Sequence, residues 1–542
     1  MINLTPYNLK NHVTLFRKIN NYSLFYVTAF ILISFIPSWQ VYNLLFHPSL
    51  LPGSDPANHA LYILRIIRLK SVLIPSSQFL INDYSFGYYP PFLHIFFSGL
   101  HLLTQTSIID LMRFFMFFIF LFGEVNYMFL SKKLANKNSI RGLLIYSILA
   151  FNTAPIIKTL RDGCYGEIFA MWFLFPLFIS SLLSRRSLWS ILIFVVIVWS
   201  NNLSTIMVGA LLLSFILSHM INREWQNLRF ILKVIIAVII LAAPALYYFY
   251  LPKIINTLQF GEGSQRILAF SEYSIHLTEL TLYTGLISLL VTMLLYRRFR
   301  WLPLWFGLYI LLANLSFSSS RVVREMTVPL SLSIGVFLCN FVKTFMNKIA
   351  INATSIKRSI EDFLLKSKKV QIGLLALLVI IFANNGIALI ASEAEPVILD
   401  YGTSLKVDAY QWLHNKSMAN GKGVIIIKNL DPWAKVYVNS KVYEIYPPSI
   451  SEWLSLTDRS INNELAYSLL NPFNSNAIEM FCKYDISYII LSTPLQGRWY
   501  PDGVINFANT LLNIKYESTP LCELIYYQAT HDEMIKIYEI HR

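Results

Sequence analysis

The chain of 542 residues is 55% hydrophobic and only 14% charged, with a mean hydropathy of +0.53. Soluble domains carry about a quarter charged residues, so this composition excludes an ordinary soluble enzyme, and 15% aromatic residues exclude a disordered chain. From residue 393 onward 12 Lys and Arg face 17 Asp and Glu, a balance of −5. The whole chain carries +14, which leaves +19 on the first 392 residues. A basic excess within apolar sequence points to membrane lipids as partners under the positive-inside rule, and not to nucleic acid. Four cysteines, Cys164, Cys339, Cys482 and Cys522, are too few for a disulfide scaffold, and none has the spacing of a zinc site.

A membrane-crossing helix needs about 20 mainly apolar residues. Eleven apolar segments are the candidates, beginning with 23–46, 111–130, 141–157, 168–183 and 188–200. They continue with 203–221, 230–251, 277–295, 301–317, 322–342 and 371–391. The first follows Lys10, Arg17 and Lys18 but has no small-residue cleavage site, so it reads as a retained helix. The apolar stretch 94–106 is short and follows Pro90-Pro91, as a helix lying in or re-entering the interface would. With that stretch outside, the basic clusters at 132–141, 185–186, 223–229, 297–300 and 343–369 all fall on the side of the N-terminus. The expectation is a mainly α-helical polytopic membrane protein of about eleven helices. Its N-terminus is cytoplasmic, and its acidic tail lies outside the cell membrane.

Past Pro396 the pattern changes. Short β-branched runs at 423–428, 435–442 and 486–491 alternate with helical stretches at 404–415 and 462–470. That alternation predicts an extracytoplasmic α/β domain over 393–542, after a transmembrane domain over 1–392. The polar, basic stretch 349–367 reads as a cytoplasmic linker.

The loop 47–110 is the most unusual feature, because loops of this length commonly carry function. It opens with Pro52-Gly53-Ser54-Asp55-Pro56 and continues into an amphipathic stretch, 58–70, suited to an interfacial helix. Asp55 reads in two ways. It caps that helix with Pro56 at the first helical position, or it is a carboxylate held at the membrane surface to accept a proton. His59 lies one turn along the same face, either assisting or simply satisfied at the interface. Tyr84–His94 (YSFGYYPPFLH) adds belt aromatics, Tyr89 among them.

A second constellation, Arg161-Asp162-Gly163-Cys164-Tyr165-Gly166-Glu167, follows the third span. Two acids and an arginine at a bilayer edge are costly unless paired or used. The plain reading is an Arg161–Asp162 pair with Glu167 at a helix start, where the dipole favours an acid. The third is Arg321-Val322-Val323-Arg324-Glu325, whose arginines suit either a phosphate or headgroup anchoring. Asn201-Asn202 reads as a tight turn between two spans.

Taken together, these motifs resemble the GT-C-fold glycosyltransferases, polytopic enzymes that use polyprenyl-phosphate sugars. Asp55 occupies the place of that class's acid after helix 1. Tyr89-Pro90-Pro91-Phe92-Leu93 matches its Tyr-Pro-Pro-aromatic stretch, and Asp162 and Glu167 match its second-loop acids. The string Arg-Asp-Gly-Cys-Tyr-Gly-Glu, the Ala-Pro-Ala-Leu-Tyr run at 243–247, and the tail motifs at 409–413 and 483–490 are similar to one prokaryotic branch. That branch is labelled as membrane proteins related to 6-pyruvoyl-tetrahydropterin synthase. No Trp-Trp-Asp signature of oligosaccharyltransferases is present.

The resemblance implies a lipid-linked sugar donor, an extracytoplasmic glycan, lipid or protein acceptor, and an inverting single displacement. Asp55, Asp162 and Glu167 would be catalytic, and Arg321 and Arg324 would bind the donor phosphate, with His59, Arg161 and Tyr89 in support. Asp55 and Asp162 are the pair that would hold a divalent cation, magnesium or manganese, if the chemistry uses one. Unlike the class, Asp55 stands between Ser54 and Pro56 without an adjacent acid. Two rivals are a transporter or flippase of lipid-linked glycans and a catalytically silent assembly partner. The first needs ionisable residues within the spans, and 114–122 and 191–198 carry none.

Overall fold

The computed structural model describes residues 21–46, 51, 55–72, 89–251, 279–315, 319–349, 368–394, 404–420, 423–427, 442–445, 475–494, 522–529 and 533–541. The chain divides into two compact units. One comprises Met1–Leu44, Phe115–Arg161 and Tyr165–Glu395. The other comprises Leu45–Phe114, Asp162–Cys164 and Pro396–Arg542.

The first unit is helical. Among its described residues, Tyr26–Leu45, Tyr165–Leu183, Asn202–Ile221 and Arg321–Asn340 are long and apolar enough to cross a membrane. Two bent helix pairs are together long and apolar enough for a broken span or a re-entrant loop: Ser139–Ala150 with Ala154–Arg161, at 48°, and Trp225–Leu241 with Ala243–Tyr250, at 63°. Uniform hydrophobicity over 141–157 and 230–251 gives no sign of either bend; prolines do. Pro155 and Pro244 each lack a backbone N–H at the second position of the new helix. At the first bend the freed polar groups find partners. Thr153 Oγ1 donates to the Ala150 carbonyl at 2.8 Å, and Thr281 Oγ1 donates to Asn152 Oδ1 at 2.6 Å.

Helices in this unit approach closely where small residues allow it. A Cβ on Gly335 would lie 2.8 Å from Ile145 Cα, so helix Thr327–Ile349 sits directly on helix Ser139–Ala150 there. The Asn201-Asn202 turn is a helix cap, with Asn201 Oδ1 accepting from the Ser204 amide at 2.9 Å. Helix Tyr165–Leu183 contains a π-helical stretch, Ile168–Leu174, immediately after Glu167.

One carboxylate lies inside a helix rather than at its end. Glu124, inside helix Ile108–Leu134, is buried and accepts from the Tyr146 hydroxyl, which is itself 2.6 Å from Ser34 Oγ. An apolar environment requires a buried acid to be hydrogen-bonded, and Tyr146 meets that need on one oxygen.

In the second unit, strands β1 (Gly423–Ile427), β2 (Val442–Ile445), β3 (Ile486–Pro494), β4 (Cys522–Ala529) and β5 (Glu533–Ile540) form one sheet of order β2-β1-β3-β5-β4. β1 runs parallel to β2 and β3, while β5 is antiparallel to β3 and β4. Ile486–Leu491 is buried throughout, as a strand covered on both faces requires. Helix Ser404–Asn420 packs on β4 and β5, burying Leu405, Ala409, Tyr410 and Leu413 at helical spacing. Lys416 Nζ ties that helix to Glu539 at 2.9 Å. The expected helix at 462–470, most of the expected strand 435–442 and the linker 350–367 lie outside the described residues.

The same unit holds two helices of the long loop, Asp55–Leu69 and Phe92–Thr104, packed on one another. Both match the two helices expected in that loop. The first begins at Asp55 itself, one turn earlier than the amphipathic pattern from Asn58 suggests.

Candidate functional site

In the loop unit, the apolar faces of the two helices meet around a histidine pair. His59 Nδ1 lies 2.8 Å from His94 Nε2, and both rings are buried. Tyr62 and Tyr89 close the cluster edge-on, with centroids 4.4 and 5.4 Å from His94. Ser98 Oγ donates to the His94 carbonyl at 2.6 Å. Burial, with His59's charge adding to it, holds the His94 imidazole well below its ordinary value. His59 therefore forms a buried pair with His94 between the two helices. Tyr89 serves that cluster too. The sequence displays His94 within Tyr-Pro-Pro-Phe-Leu-His, but nothing local identifies it as the partner of His59.

The Asp55 backbone starts its helix, and its side chain lies outside the described residues. Pro56, next along, is buried against the turn 162–164. Gly163 has φ +80, and a Cβ there would fall 2.2 Å from Pro56 Cδ. Only glycine fits that contact on both counts. The chain positions of Asp55 and Asp162 therefore flank one backbone contact, the first between two of the three acids expected to act. Asp162 is half-buried.

In the helical unit the remaining candidates form a second cluster. Glu167 is fully buried in the first turn of its helix, with Arg321 3.8 Å away. Glu325 and Arg324 are also buried, and Glu325 feels the charges of both Glu167 and Arg324. Tyr309, buried, is in turn within the electrostatic reach of both acids. Two acids and two arginines, all but Arg321 buried, thus share one region with zero formal charge, which limits the cost of holding ions away from water. Arg321 is the more accessible arginine, with its side chain 35% exposed, whereas Arg324 is 6% exposed. The sequence reading passed over Glu325, although it directly follows Arg324. Its significance depends on Glu167, over 150 residues away in the chain.

Arg161 departs from the plain reading. Its guanidinium pairs with Glu393 at 2.9 Å and donates to the Glu393 carbonyl at 3.2 Å, not to Asp162. Lys158 joins from 3.4 Å, so Glu393 clamps helix Lys368–Ala394 to helix Ala154–Arg161. The adjacent Asp162 is the cheaper partner in sequence terms, but the chain passes into the turn at Gly163 and leaves Arg161 facing Glu393. Arg161 is a structural tie.

Among the described residues no group of three or more His, Cys, Asp and Glu is placed to hold a metal ion.

No family model and no curated protein matches the chain. Solved structures do. ArnT from Cupriavidus metallidurans bound to undecaprenyl phosphate aligns with a TM-score of 0.56 at 12% identity, covering 96% of this chain and 98% of that one. The arabinofuranosyltransferase AftD from Mycobacteria aligns with a TM-score of 0.56 at 13% identity, covering 95% of this chain and 40% of AftD. At such identities the likeness concerns the fold, and that fold is the GT-C fold of a multi-pass membrane protein.

Proposed function

We propose that this chain is an integral-membrane glycosyltransferase that moves a sugar from a polyprenyl-phosphate-linked donor to an extracytoplasmic glycan, lipid or protein. The observation that carries this reading is the likeness to ArnT over nearly the full length of both chains, ArnT having been solved with undecaprenyl phosphate. In the proposed orientation the N-terminus is cytoplasmic, about eleven helices cross the membrane, and the C-terminal sheet region is outside. Membership of the pterin-synthase-related branch belongs to the same proposal.

Asp55 takes the proton from the acceptor hydroxyl as that oxygen bonds to the anomeric carbon. The bond from that carbon to the phosphate oxygen breaks, and the lipid phosphate leaves with the electron pair. A single displacement inverts the anomeric centre. Arg321 meets the developing phosphate charge through paired donors, and Arg324 holds the local charge balance behind it. Asp162 and Glu167 orient the acceptor.

Membranes containing the chain, incubated with labelled polyprenyl-phosphate sugars, test this directly. Asp55→Asn is expected to lower transfer about 10²- to 10⁴-fold, as loss of a positioned base does, with membrane insertion unchanged. Undiminished transfer by that variant removes Asp55 from the role.

A further inference from the structure

At the end of the helical unit remote from Glu167, a cavity of about 400 Å³ opens between helix ends. Arg185, Arg297 and Arg298 line it together with Leu182, Phe230 and Ile231. Its one carboxylate, Glu224, is already engaged, receiving Asn227 Nδ2 at 2.7 Å and lying 2.8 Å from His219 Nδ1. Arg297 is likewise committed, donating through Nε to Asn222 Oδ1 at 3.2 Å, where Arg300 also donates at 3.1 Å.

The remaining cations have no such anchor. Arg298 donates to the neutral Asn136 side chain, and Lys133 donates to Ser184 and to the Ser180 carbonyl. Arg186 and Arg298 both act electrostatically on Lys133, so the three positive charges lie close together. Arg185 is exposed, sits at φ 54, and has no side-chain hydrogen bond or ion pair among the described residues. With Glu224 as the one carboxylate of the lining against Arg185, Arg297 and Arg298, positive charge is in excess, and an added anion would relieve the repulsion among the cations. Guanidinium groups match phosphate oxygens through paired donors. The apolar residues of the lining suit a ligand with a greasy portion, and the volume is that of an ordinary small-ligand site.

We propose that this cavity binds a phosphate-bearing ligand, its phosphate held by Arg185 and Arg298 beside Lys133 and its apolar part along Phe230 and Ile231. The site is independent of the proposed transferase chemistry, because none of its residues belongs to the Glu167 cluster or to the loop helices. The phosphate has two sources, an anionic lipid headgroup or a water-soluble phosphate compound.

Native mass spectrometry of the full chain in a neutral detergent distinguishes them, with phosphatidylglycerol, phosphatidylcholine and glycerol 3-phosphate as separate probes. Retention of phosphatidylglycerol at least tenfold above phosphatidylcholine is expected for a lipid source, and retention of glycerol 3-phosphate for a soluble one. In either case Arg185→Gln with Arg298→Gln is expected to reduce binding about tenfold. The charge-matched control, Lys483→Gln with Lys536→Gln, is expected to leave it unchanged. The proposal is overturned if neither net-anionic phosphate probe binds above zwitterionic phosphatidylcholine, if the arginine variant binds normally, or if the control loses as much. Thermal unfolding of the arginine variant shows whether it is folded. A variant that does not fold is replaced by Arg185→Lys with Arg298→Lys, expected to keep the charge attraction and lose the paired geometry, and normal binding there likewise counts against the site.

Discussion

Helix Tyr165–Leu183 begins at a buried, balanced set of charges and is followed directly by an exposed, unbalanced one. Nineteen residues at 1.5 Å each separate the two by about 28 Å. At the first, Glu167 and Glu325 are matched by Arg321 and Arg324 and are hidden from solvent or nearly so. At the second, Arg185, Arg186, Arg298 and Lys133 share space with one acid that is already occupied. Balance and burial mean that the first cluster is held by its own members. Exposure and excess mean that the second is completed from outside. Substitutions should therefore act oppositely: those in the first cost folding, while those in the second cost binding.

The largest effect is expected from Arg324→Met, which leaves two buried acids with one cation. Removing one partner of a buried ionic set costs about 3–5 kcal/mol, read as a fall in the unfolding midpoint in detergent. An unchanged midpoint would mean that the two acids do not depend on Arg324. Gly163→Ala should come next. It forces a side chain into φ +80 and against Pro56, at about 1–3 kcal/mol of strain. The same assay should show that loss, and sugar transfer should fall with it if the Asp55–Asp162 neighbourhood does the chemistry.

The histidine pair gives a pH test of the loop unit. Because the fold holds His94 below its ordinary value, the unfolded chain binds a proton that the folded chain refuses. Stability from this pair is full above about pH 6.5, the ordinary imidazole value, and falls as the pH drops below it. His94→Asn should flatten that slope, and an equally steep slope in the variant assigns the loss to another group. Smallest of all, Arg185→Gln with Arg298→Gln should move the midpoint within about 0.5 kcal/mol, as surface substitutions do.

What the sequence made legible was the membrane character and the loop helices. Composition and proline placement are local signals, and Asp55-Pro56 marked a helix start that the fold adopts. The rest depended on distance. Glu393 as the partner of Arg161, Glu325 beside Glu167 and His94 against His59 each require a contact across 35 to 232 residues. The hairpin of β4 and β5 was missed for a different reason. β5, Glu-Met-Ile-Lys-Ile-Tyr-Glu-Ile, is flanked by strands on both sides, and its buried set of Ile535, Ile537, Tyr538 and Ile540 breaks the simple alternation by which a strand is recognised.

The wide turn at Ile168–Leu174 has a consequence for angular phase. A regular helix advances about 100° per residue, and a π-bulge amounts to one inserted residue. Deleting a single residue from that stretch would rewind the helix and carry the acid at its head about a quarter-turn around the axis. Length and greasiness would hardly change, so the truncated helix would still sit in the bilayer while its carboxylate pointed past Arg321. A deletion that inserts normally yet separates those two groups would show that this irregularity acts as an indexing notch, setting which way the acid faces.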